Sequence, residues 1–229
     1  MNDDKTYSKE FEILRCYNIL NLCHFTHIDN LSSISREGLL SEEEIERRKI
    51  KYTSIADSEV KARRKERMVH LRNYYKWDDH QEKTVYQCVP LYISIKNPML
   101  YKVLHEYKNL PENIIHIKVD TLKVIGKNYC FFDGNAASDY SRLYIKLENL
   151  EKLDWEVIKQ SSWANDEEKR KKCAEFLVYP KVEPKDFYQI VVFNEKAKIR
   201  VEESLKMYNL QLEGGIRIDQ AYYIWHLEY

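Results

Sequence analysis

The sequence predicts an α+β fold whose sheet is mainly antiparallel. Short strand-like and helix-like segments follow one another without the regular alternation that a parallel sheet requires. Hydrophobic residues make up 44% of the 229 positions, which is enough for a sizeable core. No linker rich in proline, glycine or serine, no internal repeat and no low-complexity segment divides the chain, so we expect a single domain over residues 1–229.

The first predicted elements are a strand and a helix. Residues 18–26 (NILNLCHFT) alternate as a strand does and place His24 on the apolar face. Thr26 and Asp29 have the spacing of a capping box, and the apolar stripe that follows continues to Gly38. We therefore expect a helix that begins directly after the strand and ends at Gly38.

Two further helices are predicted next. Ser41 and Glu44 again have capping-box spacing and begin a short helix. The segment SEVKARRKERMVHLR has helical periodicity and places Arg64 on its apolar stripe. Successive helical residues differ by about 100° around the axis, so Arg63 should face solvent while Arg64 faces inward.

The rest of the chain supplies most of the sheet. The predicted elements are a strand at 85–95, a strand at 113–119, a short helix from Asp120 to Gly126, a strand at 128–132, a polar helix-prone region at 138–172, a strand that contains Glu175, a strand at 187–193, a helix at about 195–208 and a last strand near GIRI. Because proline cannot donate to a strand ladder, we expect Pro90 at an edge or a bulge.

Composition excludes several classes of function. Lys plus Arg equal Asp plus Glu at 37 each, so an anionic partner must be bound by local basic clusters rather than by overall charge. The chain has no long apolar stretch, and its first residues, MNDDKTYSKEFE, are too polar for a signal peptide. Its five scattered cysteines are typical of reduced thiols. We therefore expect a cytoplasmic protein that does not enter a membrane.

Common catalytic and metal-binding motifs are missing from the sequence. It contains no Walker loop and no GxGxxG, GxSxG or HExxH motif. Cys23, His24 and His27 could begin a metal site, but no second pair of Cys or His residues follows at ligand spacing. We expect no bound metal.

An acidic residue within an apolar run is the clearest sign of a site. Glu175 lies in CAEFLVY, where a carboxylate loses hydration and needs compensation. Arg64 and His24 are likewise polar residues on apolar faces. A buried Glu175–Arg64 ion pair could be purely structural, although such a pair adds little stability over well-packed apolar residues. On the residues alone, a structural pair and a functional site remain open alternatives.

Five segments, in order, resemble those of one known protein family. They are CHFTHIDNLSSISREGLL, SIADSEVKARRKERMV, VPLYISIKNPMLY, LDWEVIKQSSWA and KKCAEFLVYPKV. These segments are similar to the DarT family, the DNA ADP-ribosyltransferase toxins of the DarT–DarG toxin–antitoxin systems. The resemblance extends from about residue 18 to the C-terminus.

The resemblance implies an ADP-ribosyltransferase-like fold, in which two small, mainly antiparallel sheets flanked by helices form an NAD cleft. Members of the thymidine-modifying branch move ADP-ribose from NAD onto a thymine in single-stranded DNA and release nicotinamide. The expected co-substrate is therefore NAD, without a metal. The expected partners are single-stranded DNA and a DarG-like antitoxin whose macrodomain removes ADP-ribose.

The same resemblance implies roles for individual residues. Glu175 and Arg64 match the catalytic glutamate and arginine. The positions that match NAD contacts are His24, Phe25, Thr26, Ser33, Leu40, Arg64 and Tyr92. The positions that match DNA contacts are Met99, Asn135 and Arg170. The chain departs from the family at Asn135, where a family member has histidine, and by one residue in the spacing before Glu175.

The sequence also allows other functions. The acceptor could be guanine, RNA or a protein side chain. The chain could instead be a non-catalytic nucleic-acid-binding module with a structural Glu175–Arg64 pair, or a metal-dependent nuclease. The basic runs at 63–67 and 169–172, together with the 18 tyrosines, could supply phosphate contacts and stacking in any of these proteins.

Overall fold

The computed structural model describes residues 3–55, 58–72, 81–106 and 109–224. In these ranges the α-helices are α1 (Asp3–Cys16), α2 (Leu31–Glu37), α3 (Glu42–Arg47), α4 (Ser58–Glu66), α5 (Pro98–Tyr101), α6 (Thr121–Ile125), α7 (Trp155–Lys159), α8 (Asp166–Lys171) and α9 (Glu195–Met207). The strands are β1 (Asn21–His27), β2 (Leu39–Leu40), β3 (Met68–Leu71), β4 (Gln81–Thr84), β5 (Val89–Tyr92), β6 (Ile114–Asp120), β7 (Asn128–Phe132), β8 (Leu143–Tyr144), β9 (Glu175–Tyr179), β10 (Lys181–Val182), β11 (Phe187–Val192) and β12 (Ile216–Ile218).

Among the described strands, eight form one sheet in the order β12–β11–β6–β1–β5–β9–β7–β8. All neighbours are antiparallel except β11 and β12, which confirms the predicted fold class. The two middle strands, β1 and β5, share a single residue pair, Cys23 with Tyr92. The sheet therefore consists of two four-stranded halves that separate along β1 and β5. Two further two-stranded sheets pair β10 with β2 and β3 with β4.

Pro90 lies in β5, which is internal in the sheet, so the prediction of an edge or a bulge was wrong. A proline in a strand needs a position where no backbone hydrogen bond is required of its nitrogen, and Pro90 has such a position inside the sheet. Ile93 donates its N–H to the Ala174 carbonyl at 3.1 Å, on the side of β9. Backbone groups of successive residues face opposite sides of a strand, so the nitrogen of Pro90, three residues earlier, faces β1. The ladder between β1 and β5 has already ended there, and no hydrogen bond is lost at the proline.

Two predicted helices differ from the structure. The helix after β1 begins as a 3₁₀ turn at Ile28–Asn30, and its cap is His27 rather than Thr26, because the Asp29 N–H donates to His27 Nδ1 at 3.2 Å. The segment predicted as helical from 58 to 72 is helical only to Glu66. Its remainder, Met68–Leu71, pairs with β4 as a strand, so a tertiary contact overrides the local helical pattern.

Several element ends lie where the sequence placed them. Ser41 caps α3, since the Glu44 N–H donates to its hydroxyl at 3.3 Å. Asp120 caps α6 by accepting the Leu122 N–H at 2.9 Å. Gly38 ends α2 at φ 87°, and a Cβ atom there would lie 2.2 Å from the Val182 carbonyl oxygen, so glycine is required.

The main hydrophobic core holds the two halves of the sheet together. Its fully buried members include Leu22 and Ile117 from one half, Phe131 and Phe176 from the other, and Val201 from α9. Full burial of such a side chain stabilises a fold by about 1.5–3 kcal/mol. The separation of β1 and β5 is therefore part of a well-packed scaffold.

Three predictions concern the whole chain, namely reduced cysteines, the lack of a membrane span and a single domain. Of the five cysteines, Cys16 is exposed, the other four are buried, and all have free thiols. No helix in the described part of the chain is long and apolar enough to cross a bilayer. The single domain over residues 1–229 stays a prediction.

Candidate active site

Glu175 is the first residue of β9 and lies in the middle of the sheet. Its register partners are Tyr92 on β5 and Phe132 on β7, so hydrogen-bonded strands hold it on both sides. Only 1% of its surface is exposed. The structure thus confirms that this carboxylate is almost entirely shielded from water.

Among the described residues, two groups contact the Glu175 carboxylate. The Ala136 N–H donates to Oε1 at 2.8 Å, and Arg64 Nη1 lies 3.5 Å from Oε2. The second distance is at the limit of a hydrogen bond, so the contact to Oε2 is the weaker one. Burial raises the pKa of Glu175, and the opposing effects of the Arg64 charge and the Ala136 N–H do not cancel this rise.

Arg64 reaches Glu175 from α4 in the orientation that the helical pattern predicted. Arg64 is buried, whereas Arg63 is exposed. The Nη2 atom of Arg64 is buried and has no hydrogen-bond partner among the described residues. A buried N–H without a partner is costly. This atom therefore marks a place where an acceptor from another molecule can bind.

A cavity of about 1180 Å³, including its mouth, opens beside Arg64. We call it the first pocket. Its walls come from β1, α2, residues 50–55, α4 and β5. All seven positions that match NAD contacts line it, namely His24, Phe25, Thr26, Ser33, Leu40, Arg64 and Tyr92. The structure thus brings these residues together, and their roles stay predictions.

The strand wall of the first pocket lies where β1 and β5 separate. Phe25 and Tyr92 stack with ring centroids 5.4 Å apart. His24 Nδ1 lies 3.0 Å from the Pro90 carbonyl oxygen, and since a carbonyl only accepts, Nδ1 must carry the proton. Burial lowers the pKa of His24, so the ring is neutral and Nε2 is left as an acceptor. Burial also raises the pKa of Tyr92, so its phenol stays protonated.

Asn30 is a residue of the first pocket that the sequence did not single out. It is buried, and its Nδ2 donates to Thr26 Oγ1 at 3.0 Å and to the Thr53 carbonyl at 2.9 Å. Its Oδ1 accepts the Thr53 N–H at 2.7 Å. Asn30 thereby fixes Thr26 and holds residues 50–55 beside the pocket. An asparagine inside a predicted helix is locally unfavourable, and that conflict is the signal that could have identified it.

A polar cluster in the same pocket was also missed. Lys61 donates to the Tyr52 hydroxyl at 2.5 Å and to Glu42 at 3.1 Å, and the Tyr52 hydroxyl donates to Glu42 at 2.9 Å. The cluster joins α3 and α4 through the segment between them. Only the fold brings these three residues together, so no motif marks them in the sequence.

A cavity of about 900 Å³ adjoins the first pocket, and Met99 lines both. We call it the second pocket. The three positions that match DNA contacts, Met99, Asn135 and Arg170, all line it. Asn135 Nδ2 contacts Met99 Sδ at 3.7 Å. The positions that match NAD contacts thus line the first pocket and those that match DNA contacts line the second, with Met99 shared by both.

Glu175 lines neither pocket directly but lies beneath their junction. Its contact Arg64 belongs to the first pocket. Its other contact, Ala136, directly follows Asn135 of the second pocket. Groups bound in both pockets could therefore meet near this carboxylate.

The loop of residues 133–141, which carries Ala136, is held by Arg67. The guanidinium of Arg67 donates to the backbone carbonyls of Ser138 and Ser141, the latter at 2.6 Å. Arg67 is the last residue before β3, and in the sequence it is marked only as part of the basic run at 63–67. Its contacts make it a positioning residue for the loop.

Arg170 supports the same loop through its side chain. Its Nη1 donates to Asp133 Oδ1 and to Ser141 Oγ, at 3.0 Å each. Its Nε and Nη2 form a bidentate pair with Glu167 at 2.9 and 2.7 Å. All three guanidinium nitrogens are therefore engaged within the protein. The predicted contact of Arg170 with DNA stays a prediction, and the geometry adds a role in holding the loop.

Among the residues that the structure describes, no group of three or more His, Cys, Asp or Glu side chains is arranged to hold a metal ion. Cys23 instead contacts His116, with 3.4 Å between Sγ and Nδ1. His27 accepts the Asp29 N–H.

The chain matches one protein-family model over residues 23–224, described as "ssDNA thymidine ADP-ribosyltransferase, DarT". It is 32% identical over 191 residues to the DNA ADP-ribosyl transferase of Thermus sp. (strain 2.9), which covers 81% of this chain and 87% of the relative. It is 28% identical over 191 residues to a DNA ADP-ribosyl transferase–DNA ADP-ribosyl glycohydrolase fusion protein of Thermosipho africanus, over 82% of this chain and 46% of the fusion.

Two solved structures of a Thermus protein are similar to this chain. Thermus sp. 2.9 DarT in complex with ADP-ribosylated ssDNA matches with a TM-score of 0.79 and 29% identity, over 90% of this chain and 96% of that one. The same Thermus protein in complex with NAD⁺ matches with a TM-score of 0.75 and 28% identity, over 90% and 98% of the two chains.

Proposed function

The chain belongs to the DarT family, and from that premise we propose that it transfers ADP-ribose from NAD to a thymine base in single-stranded DNA and releases nicotinamide. The observation that carries the proposal is the buried Glu175 carboxylate beneath the junction of two pockets. Bulky adducts on template bases would block replication, so the enzyme would act as a toxin.

The first pocket suits NAD. Its open space, counted to the mouth, is about 1180 Å³. Arg64 Nη2 offers a buried donor to a phosphate or hydroxyl oxygen. The stacked rings of Phe25 and Tyr92 offer a flat apolar surface to the nicotinamide. We assign His24, Thr26, Ser33 and Leu40 to the same ligand, and the NAD⁺ complex of the similar Thermus protein supports this assignment.

Glu175 stabilises the positive charge that develops on the ribose as the bond to nicotinamide breaks. A carboxylate that accepts from a ribose hydroxyl is worth more as this charge grows, which is the condition for catalysis. Exclusion of water strengthens the interaction. Oε2 can exchange its weak 3.5 Å contact with Arg64 for the hydroxyl, while the Ala136 N–H fixes Oε1 and sets the carboxylate plane.

The acceptor nitrogen of thymine must lose its proton as it forms a bond to the ribose C1′. Nicotinamide leaves with the electron pair of the broken bond. Burial raises the pKa of Glu175, which makes it a stronger base than an exposed glutamate. The pKa of arginine exceeds about 12, so Arg64 is a poor base. We assign to Arg64 the binding of an NAD phosphate and the orientation of Glu175.

The second pocket receives the DNA. The target atom of a base is accessible only when the base is unpaired, which favours single strands over duplex. Met99 lines both pockets and Asn135 contacts it from the second, so both would contact the target base. With a formal net charge of zero, the protein should bind DNA modestly and with strong dependence on salt.

The proposed partner is a DarG-like antitoxin that removes ADP-ribose from DNA. A similar Thermosipho africanus protein joins a DNA ADP-ribosyl transferase to a DNA ADP-ribosyl glycohydrolase in one chain, which supports this pairing. Because the proposed substrates are NAD and DNA, we place the enzyme in the cytoplasm.

The decisive experiment incubates the protein with NAD and short oligonucleotides of varied sequence, followed by mass spectrometry and a nicotinamide assay. We expect one ADP-ribose on thymine-containing single strands, and no transfer by the Glu175→Ala variant, which should still bind NAD. Wild-type activity in that variant would refute the mechanism.

The same experiment separates the alternatives. Adducts on guanine, RNA or protein would change the acceptor and keep the enzyme class. DNA binding without nicotinamide release would indicate a binding module. Strand cleavage that a chelator abolishes would indicate a metal-dependent nuclease.

A further inference from the structure

We propose that the second pocket holds the nucleotide next to the modified thymine, with its base stacked on Trp163. This inference rests on the proposed function and extends it, because it assigns a subsite for a flanking nucleotide of the same strand. Trp163 lines the second pocket, together with Tyr101, Lys102 and Lys169.

The path of the strand follows from the arrangement of the two pockets. The target base must approach Glu175 at their junction, near Met99 and Asn135. NAD fills the first pocket in the proposed complex. A nucleotide on one side of the target therefore continues into the second pocket, whose open space is about 900 Å³.

Trp163 is placed for contact with a ligand rather than for core packing. It is half-buried and belongs to none of the hydrophobic clusters in the described part of the molecule. Its ring meets Tyr101 edge-on, with centroids 5.5 Å apart and an angle of 86°. The indole N–H has no hydrogen-bond partner among the described residues, although tryptophan usually finds one when it is packed inside a protein.

Trp155, in contrast to Trp163, packs against the core and has a partner for its indole N–H. Its ring stacks on Tyr17 with centroids 4.7 Å apart, and its indole N–H donates to the Leu150 carbonyl at 2.7 Å. It packs against the main core and lines neither pocket. Trp155 is therefore a matched control for Trp163.

The charges of the second pocket favour stacking as the source of affinity. Lys102 and Lys169 lie where they can contact backbone phosphates, while Glu106 and Asp166 in the same lining offset their charge. Lys102 Nζ lies 3.9 Å from Glu106 Oε2, which is a loose pair. Aromatic stacking tolerates any base, because every base has a flat face. Trp163 therefore contributes to DNA affinity at the flanking position without a strong choice of base.

The first test measures the tryptophan fluorescence of the full chain during titration with a thymine-containing oligonucleotide. Stacking on Trp163 should quench the emission of the wild-type protein and of the Trp155→Phe variant. The Trp163→Phe variant, which keeps an aromatic ring and should fold, should lose most of the quenching. If Trp163→Phe is quenched as strongly as the wild type, the inference is wrong.

The second test is a double-mutant cycle between the protein and the DNA. An abasic site on one side of the target thymidine should lower kcat/KM about 10-fold to 100-fold with the wild-type enzyme. With Trp163→Ala, the same abasic site should have little further effect, because the stacking partner is already gone. Additive losses for abasic sites on both sides would overturn the proposal.

Failure of the two proposals would look different. If the wild-type protein modifies no oligonucleotide, the proposed function fails, whatever the fluorescence shows. If thymine is modified but Trp163 and the neighbouring base do not couple, the function stands and the subsite is refuted.

Discussion

The two pockets that meet at Met99 are built in different ways. Strands and helices line the first pocket, and the hydrogen bonds of Asn30 to Thr26 and Thr53 hold residues 50–55 beside it. The second depends largely on the 133–141 loop, which Arg67 and Arg170 tie to the rest of the fold. Periodic elements carry a signal in the sequence, whereas a loop held by distant arginines does not. The first pocket should therefore be rigid and specific for one ligand, and the second should depend on its supports.

The largest effect is expected for Glu175→Gln, because groups bound in the two pockets would meet near this carboxylate. Nicotinamide release and base modification should each fall about 10²–10³-fold, while NAD still binds. Steady-state kinetics and an NAD titration would measure both. Glu10→Gln is the matched control, since Glu10 is a buried acid whose partner Arg72 lines neither pocket, whereas Arg64 lines the first. Its activity per folded molecule should equal that of the wild type. Nicotinamide release that persists in Glu175→Gln would restrict the carboxylate to the second pocket.

Arg64→Lys should affect the first pocket more than the second. Lysine keeps the charge but loses the planar set of donors, including the unpaired Nη2. Since hydrogen bonds to charged groups contribute about 1.5–3 kcal/mol, kcat/KM for NAD should fall about 10-fold to 100-fold. Arg63→Lys, at the exposed neighbouring position, is the control. A change confined to the KM for DNA would contradict the assignment of Arg64 to the first pocket.

Arg67→Met should affect the second pocket more than the first. Without the contacts to Ser138 and Ser141, the 133–141 loop loses a support, so kcat/KM for the oligonucleotide should fall about 10-fold, with a smaller change in the KM for NAD. Arg142→Met removes an exposed arginine adjoining the same loop and should be neutral. Equal losses for both substrates would mean that the two pockets are not separable.

The pH dependence of transfer should reflect the burial of Glu175. Burial raises its pKa, so on acidification the carboxylate is protonated, and activity lost, at a higher pH than for an exposed glutamate. A pH profile of kcat for the wild type, compared with the residual activity of Glu175→Gln, would show this acid limb only in the wild type. A limb at the ordinary pKa of glutamate would indicate that the site is open to water.

The smallest effect on activity concerns Lys172, which is buried beside Cys173 of the second pocket. It donates to the carbonyls of Ile158 and Gln160, and burial lowers its pKa to about 8. Between that value and the unfolded pKa of 10.5, the unfolded chain binds a proton that the folded chain does not. The free energy of unfolding should therefore rise with pH across this range, by an amount on the order of 3 kcal/mol. Denaturant unfolding of the wild type and of Lys172→Met at several pH values would detect it, and parallel curves would argue against a lowered pKa of Lys172.

Two residues of the first pocket, His24 and Arg64, could be singled out from the residues alone because they lie on regular elements, whereas the resemblance to the DarT family implied the other positions. Helical repeat distinguished Arg64 from Arg63, and the apolar run around Glu175 indicated a buried strand. Capping patterns placed Ser41 correctly. In each of these cases, a local pattern of polar and apolar residues decides which side chain faces the interior.

The features that could not be predicted depend on contacts between distant segments. Arg67, for example, supports a loop that is remote in sequence. The strand Met68–Leu71 follows a helix without a breaking residue and is fixed only by its pairing with β4. Such contacts leave no periodic trace in the sequence, so the structure is needed to find them.

Pro90 determines how the cleft behaves before a ligand binds. Because proline cannot donate toward β1, pairing of these strands beyond Cys23 and Tyr92 would lack a hydrogen bond at this position. A closed form of the sheet is therefore disfavoured as a competing conformation. When the binding-competent shape is already dominant, the apparent affinity is not reduced by a conformational equilibrium. The affinity of this protein for NAD should then reflect the contacts in the cleft alone.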